Sequence, residues 1–135
     1  MAGFKLPVLT HDVDCEPLGY PGLVVTFRLN PGYVEKAFPW DDIENVEEQN
    51  KARAKALETE PWCAEYSWAM SRVIESVTFP ADMSEDGKSY TVGIDSPQAF
   101  HELTTTEGFD QNIITWAQSG FQKARQEWLA TEVKN

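Results

Sequence analysis

The residues of this chain best equipped for chemistry lie in "HDVDCEP", His11 to Pro17. An imidazole, the carboxylates of Asp12, Asp14 and Glu16 and the Cys15 thiol crowd together there, the donor set of a metal site or an acid–base centre. The rest of the sequence completes neither. Zinc wants about four ligands, usually brought together as two short pairs. His11 and Cys15 supply one pair, but the other soft donors, Cys63 and His101, each stand alone. Calcium loops need oxygen ligands at alternate positions and a tight glycine turn, and this run departs from that pattern after Asp14. The segment therefore reads as a solvated loop that holds no ion.

Nucleophilic chemistry finds little more. No GxSxG elbow, GxGxxG turn or GxxxxGK[ST] loop occurs. Cys63 falls in the first turn of an apolar helical run, where a thiol can be acidified. A cysteine there more commonly serves as a small hydrophobe. Glu102 with Glu107, or Asp12 with Asp14, could act as paired acids, but carboxylates are abundant and the pairings are unspecific. The expectation is a non-enzyme with no catalytic, cofactor-binding or metal-ligating residue. An enzyme or metal protein built on "HDVDCE" is the minority alternative.

The elements that would position any site follow from periodicity. Residues 1–22 carry Pro7, Pro17 and Pro21 with Gly19 and Gly22, and read as an irregular or extended lead into a single α+β domain over 23–135. "LVVTFRLN" alternates Leu23, Val25, Phe27 and Leu29 with more polar positions, a half-buried strand stopped by Asn30-Pro31-Gly32. "DDIENVEEQNKARAKALE" has acids first, bases later and sparse apolar positions, which describes a surface helix. "PWCAEYSWAMSRVIESV" spaces Trp62, Tyr66, Ala69, Met70, Val73 and Val77 by three or four, which predicts one core-facing helix through Val77. "ADMSEDGK" reads as a polar turn, "SYTVGI" as a second strand, and Ser96-Pro97 as the N-cap and first position of a short helix. A long amphipathic helix from Phe109 places Ile113, Trp116, Ala117, Phe121 and Trp128 along one side. The fold class is thus α+β, mostly helical, with two short strands and three to four helices around one core. Val25, Phe27, Tyr66, Met70, Val73, Ile113, Trp116 and Phe121 are its expected centre.

Composition narrows the partners. The 135 residues include 11 basic and 22 acidic side chains, a net charge of −11. That excess repels nucleic-acid backbone and anionic membrane, so neither is an expected partner. The two cysteines lie far apart and form no CxxC pair, no run is apolar enough for a membrane span, and no secretory leader is evident at the N-terminus. A reduced, cytosolic protein is expected. Five tryptophans are more than so small a core can enclose. Trp40 and Trp68, set off from the apolar stripes, are the candidate partner-binding anchors, for a client or for a second copy in a homo-oligomer.

The order of "GYPGLVVTFRLNPGYVEKAF", "WCAEYSWAMSRVIESV", "YTVGIDSPQAFHEL" and "FDQNIITWAQSGFQKA" resembles that of tail assembly chaperones from long-tailed bacteriophages, over roughly residues 18–130. The shared pattern is a strand with an arginine near its end, a turn into a helix, a second strand and a terminal helix. The resemblance implies a helper in the host cytoplasm that binds and solubilises the tape-measure protein while tail subunits polymerise round it. It also implies a second, longer form made by a ribosomal frameshift, and Val133-Lys134-Asn135 can be encoded by a slippery heptamer. It transfers no catalytic or ligand residue and no cofactor. The competing class is a small acidic phage protein that inhibits a host defence complex by protein binding or by imitating nucleic acid.

Overall fold

The computed structural model describes residues 9–31 and 38–134. Its centre is one antiparallel sheet of four strands in the order β1-β2-β3-β4, formed by Thr10–Asp14, Val24–Arg28, Ile74–Phe79 and Tyr90–Gly93. Helices α1 (Val46–Thr59) and α2 (Glu65–Val73) lie between β2 and β3 in sequence, and α3 (Pro97–Thr104) and α4 (Asn112–Lys134) follow β4. The α+β class holds, but the expectation of two strands does not: four are present among the described residues.

The first missing strand is β1, which occupies "THDVD" within the segment read as irregular or extended. Its polar letters belong to a strand with one wet face. Val13 is buried, while Asp12 and Asp14 are exposed, and Asp12 accepts a hydrogen bond from the Thr26 hydroxyl across the pair at 2.7 Å. Thr78 and Thr91 make a similar contact between β3 and β4, 3.0 Å apart, so the outer surface is polar as far as the far edge.

The second is β3, which takes the stretch expected to end the α2 helix. Ile74 and Val77 are three residues apart, a spacing that imitates a helix and that an unbroken strand would send to opposite faces. The pairing is not unbroken. Thr26 faces Ser76 and Phe27 faces Ile74, so Glu75 is an extra residue and the register shifts there. The bulge turns both Ile74 and Val77 inward, where neither is accessible to solvent.

Helix α2 passes into β3 without a loop, and its last carbonyls need donors. Arg28, at the end of β2, supplies them. Its guanidinium donates to the carbonyls of Ser71, Arg72 and Ile74 at 3.2, 3.2 and 3.0 Å and to that of Ile94 at 3.3 Å. A cation also suits the negative end of a helix dipole. One side chain of β2 thus joins the exit of α2, the start of β3 and the residue just after β4.

The core fills the other face of the sheet. Val13, Val25, Phe27, Ile74, Val77 and Phe79 meet Met70, Phe100, Ile113, Ile114, Ala117 and Phe121 from the helices. Phe27 and Phe121 stack with centroids 4.5 Å apart and planes 10° from parallel. Helix α4 crosses β1 closely enough that a β-carbon on Gly120 would stand 3.0 Å from Val13 Cγ1. Glycine in a helix interior costs about 1 kcal/mol relative to alanine, and the close crossing explains its use. Gly22, at φ +85°, has a similar reason, since a β-carbon there would lie 2.9 Å from Pro80.

Of the expected core, Val25, Phe27, Met70, Ile113 and Phe121 are buried and Val73 packs against the cluster. Tyr66 and Trp116 are not core residues, being 52% and 40% exposed. Tyr66 meets the buried Phe100 edge-on at 5.7 Å and leaves the rest of its ring in water. Trp116 sits beside the buried line of Ile113, Ile114, Ala117 and Phe121, and its indole N–H donates to the Asp14 carbonyl at 3.1 Å. The remaining helices form where expected, but α1 starts at Val46 rather than Asp41 and α4 at Asn112 rather than Phe109. No residue of α1 is buried, and Asn45 caps it by accepting from the Glu48 N–H. Ser96 caps α3 through the Ala99 N–H at 3.1 Å. Of the Asn30-Pro31-Gly32 stop expected after β2, Gly32 lies outside the described residues.

Candidate functional site

The segment richest in chemical groups is scaffolding. Cys15, expected in a solvated loop, is fully buried, and burial next to Asp14 pushes its thiol up to about 11. Asp14 is engaged as an Asx turn, accepting from the Glu16 N–H at 2.9 Å. Among the described residues no group of three or more His, Cys, Asp and Glu side chains could hold a metal ion. Cys63 lies in the 3-10 turn Pro61–Cys63 rather than in a helix, with its sulfur 3.6 Å from Glu60 Oε2. Burial and that carboxylate raise its pKa, the reverse of nucleophile activation. His101, on α3, meets the Trp62 ring edge-on at 6.5 Å.

A larger concave feature than the α2–α4 groove lies elsewhere among the described residues. A cleft of about 960 Å³ opens where the helices leave part of the sheet's inner face uncovered. The sheet contributes Phe79, Tyr90 and Val92, α3 contributes Leu103, and Phe109 and Ile113 come from the entry to α4. Phe79 and Tyr90 are cross-strand neighbours whose rings stack at 4.9 Å. Tyr90 nevertheless remains 43% exposed, as does 37% of Met83 on the adjoining turn. Apolar rings left this open beside an otherwise closed core are a feature of binding surfaces.

The cleft's charge has one sign. Glu85 and Asp86 stand on the turn after β3, and Glu102, Glu107 and Asp110 lie along α3 and the loop that follows. None of the described residues lining the cleft is Lys, Arg or His. Three of these acids are held by local bonds, Glu102 by accepting from the Gln98 side-chain amide at 3.1 Å. Asp86 accepts from the Ser84 hydroxyl at 2.6 Å and the Lys88 N–H at 3.0 Å, which lowers its pKa. Asp110 accepts from the Tyr20 hydroxyl at 2.7 Å and the Asn112 N–H at 2.9 Å, and its pKa is lowered by the first and then the second. The same carboxylate raises the Tyr20 pKa, principally through that hydrogen bond.

This contact ties the link after β1 to the entrance of α4, and it has a definite pH window. Asp110 has its pKa depressed in the folded state, so its stabilisation is present above the ordinary carboxylate value of 3.8 and is lost as pH falls through the lower folded one. Tyr20 has its pKa raised, so its part is complete below 10.0 and is lost as pH rises through the higher folded value. Tyr20→Phe is therefore expected to lower the melting temperature at neutral pH, and the difference from wild type should shrink as pH falls below 3.8 and Asp110 takes up its proton. Melts followed by circular dichroism across that range check it. A gap that stays constant down to pH 2 would disprove the link.

No family model, curated protein or solved structure matches this chain.

The tryptophans expected to be anchors lie outside the cleft. Trp40 is only 4% exposed, stacks on Phe38 at 4.8 Å and has its carbonyl bonded by the Gln49 amide. Its indole is not spare surface. Trp68 is half-buried, with the Arg72 guanidinium 5.6 Å above its ring. Sequence reasoning missed Met83 and Tyr90, the exposed apolar residues of the cleft. Met83 was hidden in a stretch that reads as a polar turn. Tyr90 did carry a signal, since it shares a strand face with Val92 and the buried Ile94 while standing at the strand's end.

Proposed function

We propose that this chain is a non-enzymatic binding protein of the chaperone kind, which holds an apolar segment of a phage tail protein during assembly. The observation that carries the proposal is the cleft, an open apolar floor whose charged lining residues, among those described, are all carboxylates. A chaperone needs such a surface together with solubility, and the net charge of −11 favours solubility. The resemblance to tail assembly chaperones supplies the client class, a tape-measure-type protein in the host cytoplasm. The raised thiol pKa values of Cys15 and Cys63 support the non-enzymatic side of the reading. The apolar floor favours it over nucleic-acid imitation, which calls for surface carboxylates arrayed at phosphate-like spacing rather than for an apolar cleft. Among the described residues no helix is long and apolar enough to cross a membrane.

Co-expression tests the proposal. A tape-measure-type tail protein that precipitates alone should become several-fold more soluble with this chain, and the two should elute together in gel filtration. An unrelated acidic protein of equal charge serves as the control. Equal rescue by both, or by neither, would defeat the proposal.

A further inference from the structure

The cleft's shape and charge specify more than a generic client. Resting on the reading above, we infer that the cleft takes a cationic amphipathic helix from a partner protein, with the partner's apolar face against Tyr90, Met83 and Leu103 and its Lys or Arg residues facing Glu85, Glu102 and Glu107.

Three observations favour this occupant. The first is size. A helix about 10–12 Å across with a 5.4 Å pitch displaces roughly 400–600 Å³ per turn, so a cleft of about 960 Å³ accommodates about two turns. The second is the division of chemistry. Apolar residues come from the sheet, α3 and the entry to α4, whereas Glu85, Glu102 and Glu107 are exposed at the margins. A helix presenting one apolar stripe flanked by cations matches both at once. The third is that the two grooves differ in charge. The smaller groove between α2 and α4, about 270 Å³, includes Arg125 and no acid among its lining. A second copy of this chain is the poorer occupant, because two bodies of charge −11 repel.

A synthetic probe tests the inference without knowledge of the natural partner. A fluorescent amphipathic peptide of Leu and Lys, about 18 residues long, is titrated with the full-length protein and read by anisotropy. Its counterparts carry Glu for Lys, or two central prolines that break the helix. The cationic helix should bind, and the Glu and proline versions should each bind at least tenfold more weakly. Raising salt from about 50 to 500 mM should weaken the cationic helix at least fivefold. Tyr90→Ser, and separately the triple change Glu85→Gln, Glu102→Gln and Glu107→Gln, should each cost at least tenfold. These side chains are exposed, and unchanged melting curves would show that both variants remain folded.

Equal binding of the Glu and Lys peptides would overturn the inference. So would undiminished binding of the proline peptide, which would point instead to an extended segment pairing with the edge of β4. Full binding by both folded variants would move the site off the cleft, and a dimer that excludes the peptide would make a second copy the occupant. Failure here is separable from failure of the chaperone reading. If the variants still solubilise the tail client as wild type does, that reading stands and this inference falls. If wild type binds the cationic helix but rescues no client, the reverse holds.

Discussion

Phe27→Ala is expected to remove about 3–5 kcal/mol of unfolding free energy, the range found when a fully enclosed aromatic ring is deleted. Phe27 has no solvent exposure, lies in the second strand of the sheet, and stacks on Phe121 at 4.5 Å. Deleting the ring removes its buried apolar surface and leaves a cavity that the Phe121 ring cannot fill from a rigid helix. Domains of this size are commonly stable by only about 5–15 kcal/mol, so the variant should stand near the limit of folding at 37 °C. Urea titration measures the loss as a fall in midpoint at unchanged slope. Phe27→Leu keeps most of the apolar volume and should recover at least half of the loss. A loss below about 1 kcal/mol for alanine would mean that the β2–α4 contact does not hold the core.

Arg28→Met comes second in expected effect, at about 3 kcal/mol. Methionine keeps the apolar stem, so the change isolates the four hydrogen bonds to the carbonyls of Ser71, Arg72, Ile74 and Ile94. Bonds from a charged donor contribute about 1.5–3 kcal/mol, and carbonyls left without partners at a half-buried junction add to the loss. Arg28→Lys should be intermediate, because one ammonium cannot reproduce a planar fork spanning two strands and a helix end. Salt provides the discriminating control. The partners are neutral carbonyls at short range, so the deficit of Arg28→Met should change little between low and high salt, unlike that of a surface ion pair. A deficit that vanishes in 1 M salt would show that Arg28 acts through distant charge instead. The double change with Phe27→Ala should exceed the sum if the two residues hold the same β2–β3 register.

Much of the fold was legible where a segment has one face in water and one in the core. The alternation of Leu23 to Leu29 specifies β2, and the Ser96-Pro97 pair fixes the start of α3. Legibility failed where local pattern and tertiary demand part. Edge strand β1 carries only Val13 as a fully inward apolar residue, so "HDVD" reads as a solvated loop rather than as a strand. In β3 the extra residue Glu75 restores a three-residue spacing between Ile74 and Val77, and the stretch reads as helix. Trp116 and Tyr66 satisfy the helical period yet lie at its margin, where the rotation of a helix about its axis decides burial. No period encodes that rotation. The cleft was the least legible part. Phe79, Tyr90, Leu103 and Ile113 come from four elements and converge only in three dimensions.

The Phe27–Phe121 stack, the Gly120–Val13 crossing and the Trp116–Asp14 bond all join the sheet to its last-made cover. On the ribosome the four strands are available once Gly93 has been made, but Phe121 arrives 28 residues later. At about 5–20 residues per second that is an interval of roughly 1.5–6 s. A hairpin closes in microseconds and non-local strands pair within milliseconds to seconds, so for part of the interval a nascent sheet can exist with Val13, Val25 and Phe27 unprotected. The acidic surface is then useful before any partner arrives. Many of its carboxylates are already translated, and neighbouring nascent chains on one polysome repel one another while their apolar faces are bare.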